Sequence, residues 1–118
     1  MMRGDVYDAR LDPAEGSEQK GSRPIVIVSR NAINTSSLIV VVVPCTTYRA
    51  GRRLYPSHAL VRAPDGGLTA DSVALAEQVR VLDKNRLLRR RGALSPASME
   101  QLNRALLVTL DLQPDWTT

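Results

Sequence analysis

Arginine is the residue type with the greatest chemical potential in this sequence. Of its 16 basic residues, all but Lys20 and Lys84 are arginine. The planar guanidinium donates hydrogen bonds in a fork that suits phosphate groups, although a GC-rich genome also encodes many arginines. One cysteine, Cys45, and one histidine, His58, allow no intramolecular disulfide and make a zinc site improbable. We therefore expect no metal and no cofactor, and the arginines reflect either phosphate recognition or the composition of the genome.

Two candidate groups lie where loops meet predicted strands. Arg23 ends a loop of about ten residues, and long loops in small domains are often functional. Pro24 biases Arg23 towards an extended backbone, which places this side chain at a junction between loop and strand. Thr46 follows a β-branched run that predicts a buried strand, so its hydroxyl should be held rigidly.

The size and composition of the chain favour an ordinary folded domain. Its 118 residues are 43% hydrophobic and 24% charged, so we expect residues 1–118 to form one domain. No apolar run approaches the ~20 residues that span a bilayer. Charged residues near the N-terminus interrupt the stretch where the apolar part of a signal peptide would lie, so a cytoplasmic location is expected. Aromatic residues make up only 3%, which is few for a protein that binds single strands by stacking.

Hydrophobic patterning predicts several short strands followed by one helix. The strands are expected at residues 7–11, 25–28, 38–43, 57–63 and 72–82. Polar loops at 12–22 and 48–55 and turns at 31–37 and 64–67 separate them, and Pro44 is expected to end the third strand. Glu77 falls on the apolar side of the last strand, which is unusual for a core face. This order of elements predicts a mainly β fold, a small antiparallel SH3-like barrel with a helix packed on it.

The helical signals are confined to the second half of the chain. Asp83 is expected to cap a short helix that ends at Leu88. Ser95 and Pro96 read as the N-cap and first residue of the last helix. Pro114 is expected to stop that helix. Its apolar face contains four residues at helical spacing, Met99, Leu102, Leu106 and Leu110.

Four segments together resemble the MazF/PemK family of toxin endoribonucleases. Their order and approximate spacing match the family over residues 3–112, and the second segment is the most specific. The segments are Arg-Gly-Asp-Val-Tyr at 3–7, Gly-Ser-Glu-Gln-Lys-Gly-Ser-Arg-Pro at 16–24, Val-Pro-Cys-Thr-Thr at 43–47 and Asp-Ser-Val-Ala-Leu-Ala-Glu-Gln-Val-Arg at 71–80.

The resemblance implies a fold, an activity and site residues. Family members share a compact SH3-like barrel of the MazF/PemK/CcdB type and form homodimers. They cut single-stranded RNA, including mRNA, at short sequence motifs without a metal, and cognate MazE-like antitoxins neutralise them. The family's active-site arginine falls on Arg23, its active-site threonine on Thr46, and the glutamate of the second segment is Glu18.

Metal-free RNA cleavage leaves three tasks to a protein of this kind. It must take a proton from the 2′-hydroxyl, protonate the leaving 5′-oxygen and stabilise charge on the phosphorus. Arg23 suits charge stabilisation first and proton donation second, because guanidinium is always charged. Thr46 can donate to a phosphate oxygen, and Thr47 is its rival, which the sequence does not separate. Glu18 is either the base or a group that orients Arg23.

RNA binding is expected to use residues on either side of these groups. Tyr48 can stack on a base, and Gln19 adjoins Glu18. The phosphate track is expected in the loop after Thr47, with three arginines, Arg49, Arg52 and Arg53. A second cluster, Arg86, Arg89, Arg90 and Arg91, reads as a solvated helix end.

Other residues with reactive side chains have more ordinary interpretations. His58 lies in a predicted strand and is not expected to be catalytic, although its side chain suits acid–base work. Cys45 reads as a small buried hydrophobic residue. Glu77 and Gln78 are expected to form buried polar structure near a dimer interface rather than to do chemistry.

Two other functions are compatible with the predicted fold. A CcdB-like toxin of the same fold poisons DNA gyrase by binding it, without catalysis. A purely protein-binding toxin has no need for the pair of Arg23 and Thr46, which therefore favours the nuclease. A non-catalytic RNA-binding barrel is the third possibility, and the scarcity of aromatic residues argues against it.

Overall fold

Seven strands and two helices make up the described chain, which is residues 1–112 of a computed structural model. The strands are Asp5–Arg10 (β1), Ser22–Ile27 (β2), Ile39–Thr47 (β3), His58–Val61 (β4), Ser72–Leu75 (β5), Arg80–Asp83 (β6) and Leu87–Ala93 (β7). The helices are Asn31–Ser36 (α1) and Pro96–Leu110 (α2), and single 3-10 turns lie at Asp65–Gly67, Ala76–Gln78 and Lys84–Arg86. The fold class expected from the sequence, mainly β with a C-terminal helix, is confirmed.

The strands form one strongly bent antiparallel sheet. Its order is β4-β5-β3-β2-β1-β7, and β6 also pairs with β3. Both β5 and β6 lie on one edge of β3, since β2 occupies the other edge. Within residues 1–112 the two outermost strands, β4 and β7, are not paired with each other, so the barrel is open between them. No helix in this part of the chain is long and apolar enough to cross a membrane.

Strand β3 runs through Pro44 instead of ending at it, which corrects the sequence prediction. On one edge β3 pairs with β6 up to Val42 and with β5 from Cys45 onward. Pro44 therefore lies in the gap between these two pairings. Tyr48, directly after β3, donates its N–H to Asp71 O on that edge. Because N–H groups alternate between the two edges of a strand, the even-numbered positions of β3 face the same edge. The missing N–H of proline consequently removes no ladder hydrogen bond.

The expected strand at residues 72–82 is in fact two strands, β5 and β6. The 3-10 turn Ala76–Gln78 separates them and shifts the alternation of side chains. Val73 is fully buried, whereas Val81 is 56% exposed. Glu77 lies on the turn with an exposed side chain, so it does not face the core as the alternation had suggested.

Three further local predictions are wrong. Residues 31–36 form the short helix α1 instead of a turn, held by the buried Asn34, whose Nδ2 donates to Ser29 O. Asp83 caps only one 3-10 turn, where its side chain accepts from the Asn85 N–H. The chain then enters β7, which was not expected at all.

Helix α2 begins as predicted and covers one side of the sheet. The Ser95 side chain accepts from the Ser98 N–H, and Pro96 occupies the first turn. Leu102 and Ala105 of α2 are buried in a cluster with residues of β1 to β5. Leu110 is 52% exposed, unlike the rest of the predicted face. Pro114 lies outside the described residues.

The other face of the sheet has its own apolar cluster. It includes Ala9, Ile25, Val42 and Leu82 from β1, β2, β3 and β6, together with Leu11. Both faces of the sheet are therefore packed. This second cluster lies directly beneath the candidate site.

Candidate active site

Arg23 and Thr46 project from the same face of two neighbouring strands. The two strands are antiparallel, and Ile25 of β2 is paired with Pro44 of β3. Arg23 lies two residues before Ile25 and Thr46 two residues after Pro44, so both lie on the same side of this pair. Side chains two residues apart share a face, and residues paired across strands share it too. Arg23 is also paired with Ala9, which belongs to the second cluster. Both candidate groups therefore lie at one end of that cluster.

Thr46 and Thr47 point to opposite faces, which separates the two candidates. Thr47 is paired with Ser72 and follows the alternation of Cys45, a residue of the α2-side cluster. Thr46 is half-buried on the Arg23 side, whereas Thr47 is exposed on the other. The register thus puts Thr46, and not Thr47, on the Arg23 face of the sheet.

The guanidinium of Arg23 is held by the loop that precedes it. Its Nε donates a hydrogen bond of 2.9 Å to the main-chain oxygen of Lys20. The side chain is half-buried, and no acidic partner lies within ion-pair distance in residues 1–112. Arg23 consequently keeps its two terminal nitrogens without a hydrogen-bond acceptor within residues 1–112.

A groove of about 490 Å³ lies next to these two residues. Pro44 lines it, two residues before Thr46, as do Glu18 and Gln19 from the loop between β1 and β2. Further lining comes from the 3-10 turn after β5 and the start of β6, residues 77–81. Arg23 and Thr46 do not line the groove themselves but lie beyond the Pro44 end of the second cluster.

Glu18 and Gln19, which both line the groove, differ in their hydrogen bonding. Oε1 of Glu18 accepts from the Glu15 N–H at 2.7 Å, so this exposed carboxylate caps its own turn. The Glu18 side chain makes no hydrogen bond to Arg23 in the described structure, where Arg23 Nε binds Lys20 instead. Oε1 of Gln19 is buried without a hydrogen-bond partner within residues 1–112. A buried acceptor of this kind is ready for a donor from a ligand.

Three side chains that the sequence analysis did not assign to the site hold this loop in place. Gln78 Oε1 accepts from the Gln19 N–H at 2.7 Å, and its Nε2 donates to Ser17 O at 3.2 Å. Arg80 Nη1 donates to Leu11 O, and Arg86 Nη1 donates to Asp12 O. Gln78 was expected to form buried polar structure near a dimer interface. Within one protomer it is half-buried and clamps the loop, which no local pattern could have indicated because the contact spans 59 positions.

The arginine-rich loop after β3 has the exposure expected of a phosphate track. Arg49, Arg52 and Arg53 are all exposed, and Arg53 lies over the ring of Tyr55 at 5.2 Å from its centroid. Tyr48 is half-buried at the start of the loop. These side chains follow directly from Thr46 and Thr47, so the candidate catalytic and binding residues share one end of β3.

Comparison with known proteins decides the family of the chain. A sequence profile of the PemK-like, MazF-like toxins of type II toxin–antitoxin systems matches residues 2–110. The chain belongs to this family. Endoribonuclease MazF of Staphylococcus saprophyticus is 42% identical over 112 residues, covering 95% of this chain and 92% of that protein. Endoribonuclease MazF9 of Mycobacterium tuberculosis is 40% identical over 117 residues, covering 95% and 98%.

Solved structures agree with this assignment to the MazF/PemK family. A mycobacterial endoribonuclease in complex with its cognate antitoxin superposes with a TM-score of 0.79 at 33% identity. The superposition covers 96% of this chain and 97% of that chain. The fold described above is therefore the fold of MazF toxins.

His58 of this MazF/PemK toxin is engaged in structure. Its side chain is 6% exposed, and its Nε2 lies 2.8 Å from Oε2 of Glu77. Nδ1 accepts from the Tyr55 N–H at 3.2 Å, which makes Nε2 the donor to Glu77. Within residues 1–112, metal-ligating side chains do not gather in groups of three or more.

Cys45 of the toxin is a buried hydrophobic residue, as the sequence predicted. Burial raises the pKa of its thiol to about 12. The reactive thiolate is therefore scarce at neutral pH.

Three arginines of the second cluster, Arg89, Arg90 and Arg91, lie in strand β7 and not at the end of a helix, whereas Arg86 ends the 3-10 turn Lys84–Arg86. Arg91 Nε binds Oδ1 of Asp8 at 2.7 Å, and Arg89 binds Oδ2 of the same carboxylate at 3.4 Å. Arg90 pairs with Asp5 at 3.2 Å, and this contact raises the pKa of the Arg90 guanidinium. Acidic residues of β1 thus compensate the arginines of β7 across the strand pair.

Proposed function

We propose that this chain is a sequence-specific, metal-independent endoribonuclease that cuts single-stranded RNA in the cytoplasm. The observation that supports it is the placement of Arg23 and Thr46 on one face of neighbouring strands. Relatives named endoribonuclease match nearly the whole chain. The single toxin domain arrests growth by cutting mRNA, and a MazE-like antitoxin neutralises it.

The cleavage step uses the RNA's own 2′-hydroxyl as the nucleophile. The 2′-oxygen loses its proton and forms a bond to the adjacent phosphorus, and the bond from phosphorus to the 5′-oxygen breaks. The leaving 5′-oxygen takes up a proton. The products are a 2′,3′-cyclic phosphate, or the 3′-phosphate that its hydrolysis gives, and a 5′-hydroxyl. No external reactant other than water is required.

Arg23 stabilises the five-coordinate phosphorus and donates the proton to the leaving oxygen. Its Nε is anchored on Lys20 O, so the terminal nitrogens keep a defined direction towards the phosphate. Thr46 donates its hydroxyl to a non-bridging oxygen from the rigid strand β3. Donors fixed before the charge develops need no reorganisation during the reaction, and this is the main source of electrostatic catalysis.

Glu18 is the carboxylate proposed to take the proton from the 2′-hydroxyl. Its Oε1 accepts from the Glu15 N–H, and Oε2 has no hydrogen-bond donor in residues 1–112. The second oxygen is therefore the one directed to the substrate.

The groove favours a nucleobase over the phosphate backbone. Its lining includes Glu18, Glu77 and the buried acceptor Oε1 of Gln19, with Arg80 as its one cation among residues 1–112. The side-chain oxygens accept hydrogen bonds from the ring and exocyclic N–H groups of a base, which a phosphate group lacks. We infer that a base enters the groove while Arg49, Arg52 and Arg53 hold the backbone outside it.

The chain acts as a homodimer that an antitoxin can cover. Near the end of α2, Val108 is 57% exposed, Leu110 is 52% exposed and Leu112 is 39% exposed. Apolar side chains at this density suit a shared interface between protomers. An acidic, extended antitoxin segment would complement the positive charge of the arginine loop. The mycobacterial endoribonuclease mentioned above is solved in complex with its cognate antitoxin.

End-group mapping of a defined single-stranded RNA tests this proposal. Pure protein with excess EDTA should produce fragments with 5′-hydroxyl and cyclic or 3′-phosphate ends. Arg23→Ala protein of unchanged fold should produce none above background. Strong EDTA inhibition, 5′-phosphate ends or full cutting by the variant would each refute the mechanism. A folded wild-type protein that cuts no RNA but inhibits gyrase would support the CcdB-like alternative.

A further inference from the structure

Tyr48, Asp71 and Arg62 form a row across three strands next to Thr46. The β3–β5 and β4–β5 registers place Thr46, Val73 and Leu60 in one row. Two residues further along lie Tyr48, Asp71 and Arg62, and the Tyr48 N–H donates to Asp71 O at 2.8 Å. Rows two residues apart share a face, so this second row lies on the Thr46 face, about 6.6 Å along the strand.

Within this row the guanidinium of Arg62 is fixed by a carboxylate. Arg62 Nη1 binds Oδ2 of Asp71 at 2.9 Å, and the Ala63 N–H binds Oδ1 of the same carboxylate at 2.9 Å. Hydrogen bonds from the Ala63 N–H and from Arg62 lower the pKa of Asp71, so this carboxylate stays ionised near neutral pH. The pair therefore has no net charge and contributes little to binding of the phosphate backbone.

Arg62 is nevertheless open to a ligand. Its side chain is 67% exposed, and within residues 1–112 only one of its nitrogens, Nη1, donates a hydrogen bond. Its central carbon lies 5.9 Å from the centroid of the Tyr48 ring, near the outer limit of about 6 Å for cation–π contacts. The guanidinium thus lies over the ring of the half-buried Tyr48 at the far end of the cation–π range.

We propose that Tyr48 and Arg62 form a nucleobase subsite next to the scissile phosphate, with Arg62 as a specificity-determining residue. The inference rests on the proposed nuclease function and extends it to base selection. The base stacks on Tyr48, and its edge meets the free donors of Arg62. Guanine is the base that fits, because O6 and N7 present two adjacent acceptors to an arginine fork. Adenine presents an amino donor at the same place and is disfavoured.

Arg53 and Tyr55 form a second arginine–tyrosine contact, but one that is less suited to reading a base. Arg53 also lies over a tyrosine ring, at 5.2 Å, but it has no carboxylate partner in the described residues. Both Arg53 and Tyr55 are exposed on the loop. A mobile cation of that kind suits phosphate, which accepts hydrogen bonds from many directions. Reading of a base edge requires a donor fork in a fixed position.

Cleavage of a randomised RNA pool by the full-length protein tests the subsite. Arg62→Lys retains the positive charge and loses the fork. Arg89→Lys is the matched control, because Arg89 is 71% exposed and pairs with Asp8 but makes no cation–π contact within residues 1–112. Both variants should keep the wild-type melting temperature and salt dependence. Arg62→Lys should lose at least about fivefold of a guanine preference at one position flanking the cut, and Arg89→Lys should keep it.

The outcomes separate this inference from the proposed function. If the wild type cuts RNA and Arg62→Lys keeps every base preference, the subsite is overturned and the nuclease stands. The same holds if the wild type shows no guanine preference at the positions flanking the cut. If the folded wild type cuts no RNA in the pool, both the nuclease proposal and the subsite are refuted.

Discussion

The main-chain N–H of Gln19 donates a hydrogen bond of 2.7 Å to Oε1 of Gln78, a residue 59 positions away. The side-chain amide of Gln78 also donates a hydrogen bond, from Nε2 to Ser17 O. One side chain on the 3-10 turn between β5 and β6 therefore holds both sides of Glu18. The loop that carries the proposed base is positioned by a contact distant in sequence, and Arg23 follows it within a few residues.

Replacement of Gln78 by Ala should lower kcat/KM for RNA by about 10- to 100-fold, since a small displacement of catalytic groups is costly. Gln78→Glu should retain part of the activity, because it keeps the acceptor for Gln19 and loses only the donor to Ser17. Hydrogen exchange of residues 12–21 should accelerate in Gln78→Ala while the strands stay protected. Wild-type kinetics together with faster exchange would contradict a positioning role for Gln78.

Replacement of Thr46 by Ala should reduce kcat by about 10²- to 10³-fold, as expected for one lost donor to the transition state. Thr47→Ala removes the same hydroxyl one residue later on the opposite face and should leave kcat within a few-fold of wild type. Single-turnover cleavage of one short RNA measures both. Equal losses in the two variants would show that the strand end, and not the Thr46 hydroxyl, matters for catalysis.

The double substitution of Arg52 and Arg53 by Ala should weaken RNA binding and flatten its salt dependence. Each lost phosphate contact lowers the slope of log K against log salt by about 0.7 for a single strand. Fluorescence anisotropy with a non-cleaved RNA analogue at several salt concentrations provides the slope. An unchanged slope would place the phosphate track elsewhere on the protein.

Asp65 should make the stability of this fold sensitive to acid. Burial opposes ionisation, but hydrogen bonds from Ser98 and Ser95 outweigh it and lower the pKa of Asp65 from 3.8. A lowered folded-state pKa stabilises the fold fully above the unfolded value, and this contribution is lost as the pH falls through the folded value. Asp65→Asn should therefore cost about 1–2 kcal/mol of unfolding free energy near pH 7. The difference from wild type should shrink as the pH falls below the ordinary value of 3.8.

Urea unfolding at the two pH values measures this difference between Asp65→Asn and the wild type. Asp83→Asn is a suitable control, because the Asp83 side chain caps only one short turn on the surface. A destabilisation by Asp65→Asn that does not change with pH would mean that the Asp65 shape, and not its charge, anchors the start of α2.

Local chemistry accounts for what the sequence predicted correctly. Ser95 and Pro96 mark the start of α2 through their own backbone preferences, and the β-branched run of β3 needs no distant partner to be recognised. Arg23 was placed at a junction of loop and strand because Pro24 restricts its backbone. It lies near the start of β2 after the long loop.

Non-local pairing accounts for what the sequence did not predict. Strand β7 has no fully buried residue to show a period of two, and its arginines find their acidic partners some 80 positions earlier on β1. The distinction between Thr46 and Thr47 depends on register, which Pro44 obscured by imitating a strand end. The role of Gln78 as a loop clamp depends on the turn between β5 and β6 facing the loop, and the local sequence does not indicate this.

The ion pairs between β1 and β7 have an electrostatic consequence for how RNA reaches this protein. Asp5 and Asp8 neutralise much of the positive charge of Arg89, Arg90 and Arg91. Arg49, Arg52 and Arg53 on the loop after β3, by contrast, form no ion pair within residues 1–112 and are all exposed. Exposed positive charges attract a polyanion during diffusion, so the loop next to Thr46 favours encounters with RNA more than β7 does.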